Sequence, residues 1–89
     1  MKAVVFYESA PDVMTKAPLH YPAHKARLDA FQARGDLLGV GLFGDPREGS
    51  MAVFRSRGAA EAFVAQDPFV LERVVAKVTI KDWDDTLIG

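Results

Sequence analysis

The run Ala3-Val4-Val5-Phe6-Tyr7 is apolar throughout, and four of its five residues are β-branched or aromatic. It is too short for a helix. As a strand it sends alternate side chains to opposite faces, so both faces carry apolar groups that need cover. Such a strand belongs near the centre of a sheet. This requirement is severe for a chain of 89 residues, which forms one domain. A domain of this size buries only roughly 60–65% of the surface its unfolded chain exposes. A second subunit would therefore add to its stability.

The chain is 49% hydrophobic and 26% charged, with a net charge of −1, an ordinary globular composition. Basic residues do not cluster beyond pairs, so no nucleic-acid partner is expected. The absence of cysteine excludes disulfides, thiolate metal sites and a cysteine nucleophile. No apolar run approaches the ~18 residues of a membrane span, and Met1-Lys2 leads into the first strand without a cleavage pattern. A cytoplasmic location without membrane contact is the expectation.

After Ala3–Tyr7, the stretch Glu8 to Pro18 holds Ser9, Pro11, Asp12 and Pro18 and reads as a loop with at most one helical turn. Pro22 suits the first position of a helix, predicted to run to about Arg34 and to close at Gly35. On it His24, Leu28 and Phe31 share one face. Leu37 to Phe43 is a second strand containing Gly39 and Gly41, read either as a bulge or close helix contact, or as a flat pocket floor under the helix. A turn over Gly44–Gly49 leads to a third strand, Met51 to Arg55, completing a hairpin. Ser56 caps a second helix with Ala59, Ala60, Phe63 and Val64 as its buried stripe. Gln66-Asp67-Pro68 ends that helix, leaving the Asp67 carboxylate against the unfavourable end of the helix dipole. A last strand spans Val74 to Lys81, with Val74, Ala76, Val78 and Ile80 on one side. Trp83 closes the ordered part, and Asp84 to Gly89 form a tail.

The order β-α-β-β-α-β is the α+β, ferredoxin-like arrangement. It places two helices on one face of a four-stranded antiparallel sheet. The other face stays uncovered, yet the first strand is apolar on both sides, with Val5 and Tyr7 opposing Val4 and Phe6, which predicts a homodimer packed through the open sheet faces.

His24 has two readings: a core histidine with a hydrogen-bond partner, or a titratable group at a pocket. His20 lies four residues earlier. However, no glutamate follows it in the zincin manner and Pro22 intervenes, so no metal is expected. Nucleophile elbows, phosphate loops and dinucleotide fingerprints are absent, so no cofactor is expected either.

Tyr-Pro-Ala-His-x-x-x-Leu at 21–28, Gly35-Asp36-Leu37-Leu38, Asp67-Pro68-Phe69 and the closing Val-x-Ile-Lys-x-Trp at 78–83 resemble the YciI-like (YCII-related) family. The resemblance covers nearly the whole chain. It implies the dimeric α+β barrel fold and a histidine–aspartate pair, His24 and Asp67, in a pocket. It also implies chemistry around small aromatic or lactone compounds, of the lyase or isomerase kind. A binding module without turnover is the alternative. Tyr7, His20, Phe69 and Arg73 are the candidates for contact with a small-molecule substrate. Two positions depart from the family pattern. Gly41-Leu42 stands where Gly-Pro is frequent, and Arg73 where glycine is common. A guanidinium at 73 has two readings, filling space or binding an anionic substrate group.

Overall fold

The computed structural model describes residues 1–88. Its strands are β1 (Lys2–Ser9), β2 (Leu37–Leu42), β3 (Ser50–Phe54) and β4 (Val75–Trp83). Its helices are α1 (Val13–Ala33), α2 (Arg57–Gln66) and the single turn α3 (Pro68–Leu71). The strands form one antiparallel sheet in the order β2-β3-β1-β4. The two-sided apolar strand β1 is therefore internal. Leu28 and Phe31 of α1 join Ala60 and Phe63 of α2 over Ala3, Val5, Tyr7, Ala52 and Phe54 in one core. Both long helices thus cover the same face, and the fold is ferredoxin-like.

Strand register assigns the opposite face. Val4 pairs with Val53 and Lys81, and Phe6 with Met51 and Thr79. Gly39 lies opposite Val53, and Gly41 opposite Met51. The two glycines therefore flatten the uncovered face, and of the two only Gly41 borders the cleft beside α1. A Cβ added at either would meet nothing within 4 Å, so no helix contact explains them. The irregularity expected in β2 lies between Leu37 and Gly39, where the register with β3 shifts.

The largest departure from expectation is α1. It begins at Val13 and runs through Pro18 and Pro22, so most of the anticipated loop is helix. Each internal proline lacks an N–H and crowds the carbonyl four residues earlier, at a cost of about 3 kcal/mol in an isolated helix. Tertiary contacts outweigh that cost: Val13, His24, Leu28 and Phe31 are all buried. Val13, Ala17, Tyr21, His24, Leu28 and Phe31 recur at spacings of three and four, which is a single helical stripe. The C-terminus closes as expected. Gly35 (φ +80°) lets its own N–H reach the Gln32 carbonyl at 2.9 Å and that of Asp36 reach Phe31 at 2.9 Å, a Schellman motif.

Ser56 caps α2 through its Oγ, which accepts from the Ala59 N–H at 3.2 Å. In β4 the register slips opposite Glu8 and Ser9, so Lys77 pairs with Glu8 but Val75 with Ser9. The extra residue is Ala76. Such a bulge shifts the alternation by one, so Val75 packs on the core with Val78 and Ile80 while Ala76 is exposed. The tail is likewise more regular than expected: Asp85–Ile88 form a 3-10 turn, and Lys2 pairs with Asp85. Gly89 lies outside the described residues.

Candidate functional site

The junction between α2 and α3 is where chemistry concentrates. Asp67 ends α2 and simultaneously begins α3, accepting the Phe69 N–H on Oδ1 at 3.1 Å. The dipole argument changes accordingly. The carboxylate closes one helix unfavourably but caps the positive end of the next. Pro68 supplies the first position of α3, where its missing N–H costs nothing.

The side chain of Asp67 is fully buried, and two further donors reach it. His24 Nδ1 lies 2.7 Å from Oδ1, and the Tyr7 hydroxyl donates to Oδ2 at 2.6 Å. These partners come from α1 and β1, so three separate elements converge on one carboxylate. A carboxylate offers only acceptors, so Nδ1 is the ring nitrogen that carries a proton toward Asp67. Burial, and after it the bond to Asp67, push the Tyr7 phenol above the ordinary tyrosine range. Tyr7 therefore stays a donor at any physiological pH.

Aromatic packing fixes the imidazole as well. Its ring stacks on Phe69 with centroids 3.8 Å apart and planes parallel, and it meets Phe63 edge-on at 6.2 Å. Nε2 has no hydrogen-bond partner among the described residues. Among the described residues, Arg27 Nε is the single fully enclosed side-chain polar atom without a hydrogen bond, so Nε2 is not sealed. It is available at the base of a cleft.

That cleft has a volume of about 740 Å³ and a largely apolar lining. Met14, Pro18, Tyr21 and Pro22 of α1 form one wall, and Val40 and Leu42 of β2 the other. Tyr7, His24 and Phe69 all border it, whereas His20 and Arg73 do not. His20 is half-buried elsewhere on α1, and Arg73 is exposed. The backbone of Arg73 is left-handed (φ +56°), the only positive φ outside glycine among the described residues. Glycine is at ease in that conformation, so the backbone alone would favour glycine at this position, without reference to a ligand.

Sequence reading missed the Met14–Pro18 wall because the prolines hid the helix. Tyr7, a candidate substrate contact, stands on the cleft lining and in addition directs its hydroxyl to Asp67. Lys25, exposed and paired with Asp29, is the one lysine or arginine on the cleft lining, which includes no aspartate or glutamate. Among the described residues, no group of three or more His, Asp or Glu is placed to hold a metal ion. Among the described residues, no helix is long and apolar enough to cross a membrane.

The ferredoxin-like sheet and its helices thus carry a buried His–Asp pair at the base of an apolar cleft. The chain belongs to the YCII-related family, whose domain model matches residues 1–84. Its fold is similar to that of 5-chloro-2-hydroxyhydroquinone dehydrochlorinase (TftG) from Burkholderia phenoliruptrix AC1100, solved with 2,5-dihydroxybenzoquinone. The two share 21% identity over 94% of each chain, with a TM-score of 0.77. An antibiotic biosynthesis monooxygenase matches at 14% identity over 93% of this chain and 97% of its own, with a TM-score of 0.50. SnoaB, a cofactor-independent oxygenase from Streptomyces nogalater, matches at 20% identity over 99% and 96%, with a TM-score of 0.46. Among curated protein sequences, none matches the chain.

Proposed function

We propose that this protein is a cofactor-independent enzyme of the lyase or isomerase type, in which His24 transfers a proton on a small cyclic or aromatic substrate. The observation that carries this reading is the 2.7 Å contact between His24 Nδ1 and a fully buried Asp67, with Nε2 left unpartnered beside an apolar cleft. Nε2 takes a proton from an acidic position of the substrate, and the imidazolium that forms faces the Asp67 carboxylate. In an elimination, the electron pair released at carbon becomes the new double bond and the leaving group departs with its own pair. In an isomerisation, the same proton returns at another position. Acid–base catalysis of this kind contributes typically ~10²–10⁴-fold. The likeness to a dehydrochlorinase solved with a planar ring compound supports the substrate class.

The test is a screen of small lactones, phenols and quinols against the wild type and His24→Ala. Turnover that falls at least ~10²-fold in the variant supports the proposal. Equal turnover by both proteins overturns it, and tight binding without product makes the chain a binding module instead.

We also propose that a second copy covers the open face. Half-buried Phe6, Met51 and Val53 form an apolar surface there, flattened by Gly39 and Gly41, and a two-fold axis would seat the two sheets face to face. Sedimentation should give a dimer at micromolar concentration, and Val53→Lys a monomer. A wild-type monomer sinks the idea.

A further inference from the structure

We infer that Tyr7 is a positioning residue that acts on His24 through Asp67, a role that rests on the proton-transfer reading above. Asp67 holds three donors: the Tyr7 hydroxyl on Oδ2, and His24 Nδ1–H and the Phe69 N–H on Oδ1. With the carboxylate fully buried, no solvent is at hand to replace any of them. Rotation about its Cβ–Cγ bond would break all three contacts at once.

Removing the phenol hydroxyl changes what the carboxyl group can do. Oδ2 becomes a buried acceptor without a partner, a costly state for a charged group. Two relaxations are open to it: rotation of the carboxyl, or uptake of a proton. A protonated carboxyl is itself a donor, and it would favour the His24 tautomer that accepts at Nδ1 and carries its proton on Nε2. That tautomer cannot remove a proton from a substrate. The Tyr7 hydroxyl blocks this route, and because burial and Asp67 keep the phenol protonated it remains a donor throughout. Phe69 completes the arrangement, its N–H on Oδ1 and its ring stacked on the imidazole. The close approach of Gly49 fixes the position of Tyr7. A Cβ at residue 49 would lie 1.8 Å from the Tyr7 carbonyl oxygen, so only glycine lets β1 sit this near.

The experiment reads tautomers directly. In ¹⁵N-labelled protein, two-bond ¹⁵N–¹H correlations distinguish Nδ1–H from Nε2–H imidazoles. The chain's one other histidine, His20, serves as an internal control. Wild-type His24 should populate the Nδ1–H form, and in Tyr7→Phe the Nδ1–H to Nε2–H ratio should fall by at least roughly tenfold, the size of one hydrogen bond to a charged group, with His20 unchanged. An unchanged ratio in a folded Tyr7→Phe overturns the proposal. If Tyr7→Phe does not fold, 3-fluorotyrosine incorporated in a Tyr21→Phe background alters the phenol of Tyr7 alone. The stronger donor should move the His24 Nδ1–H proton resonance upfield, and no movement overturns the proposal. The tautomer result needs no substrate. A failure of Tyr7→Phe therefore leaves the role of His24 standing, while a fully active His24→Ala removes the proton-transfer reading and leaves the tautomer finding intact.

Discussion

Two aspartates are buried in this small domain, and they are held in opposite ways. Asp36 accepts from Arg34 at 2.8 Å and Arg55 at 2.5 Å, and both guanidiniums are more than half exposed. Asp67 accepts from a phenol, an imidazole and a backbone amide, none of which is a permanent charge. Arg27 directs its own guanidinium to the Ala62 and Phe63 carbonyls. Full positive charges neutralise a carboxylate and fix it: Asp36 ties the end of α1 to β3, where the Arg55 N–H also donates to the Asp36 carbonyl at 2.8 Å. Neutral donors satisfy a carboxylate without cancelling its charge, so Asp67 can still stabilise a proton arriving on His24. Under the proposed mechanism, burial alone does not separate a structural carboxylate from a working one. The identity of the donors does.

The strongest way to break this comparison is to make both carboxylates neutral. Asp67→Asn should lower turnover of any substrate found to depend on His24 by about 10²–10⁴-fold, while Asp36→Asn should leave the rate unchanged. Steady-state kinetics on the two variants decides the matter, and equal effects would erase the distinction.

Acid unfolding comes next. The Arg34 hydrogen bond, aided by Arg55, holds the Asp36 carboxyl below its ordinary value of 3.8. A carboxyl depressed on folding stabilises the protein above its unfolded value, and that contribution is lost as pH falls through the lower folded value. Stability measured by urea denaturation should therefore decline below about pH 4 in the wild type and decline less steeply in Asp36→Asn.

The smallest effects sharpen the comparison at the helix ends beside each aspartate. Gly35, just before Asp36, and Arg73, just after α3, both have left-handed backbone at φ +80° and +56°. Gly35→Ala should cost about 1 kcal/mol, and Arg73→Gly should recover up to about 1 kcal/mol. Thermal melts of the two variants would show shifts of opposite sign.

Much of this fold was legible locally. The positions of β1, β2 and β3, the Ser56 cap, the stop at Pro68 and the Gly35 closure all follow from features a few residues long. The N-terminal half of α1 did not follow, because Pro18 and Pro22 argue against helix locally and distant packing overrules them. Nor did the bulge at Ala76, where regular alternation placed Val75 on the wrong face. At the site, the family motifs pointed to His24 and Asp67, but nothing within a few residues of Tyr7 announces its bond to Asp67. Its apolar neighbours in β1 mark it only as core.

The sequence by itself determined the order of elements and where most of them stop. Caps, prolines and hydrophobic periods act over one or two turns, and they are written in the residues that use them. Only the tertiary structure decided that Tyr7 and His24, 60 and 43 residues from Asp67, share one carboxylate. That meeting depends on the crossing of β1, α1 and the α2–α3 junction over a common core. Such a contact belongs to packing across the whole domain, which no local pattern encodes.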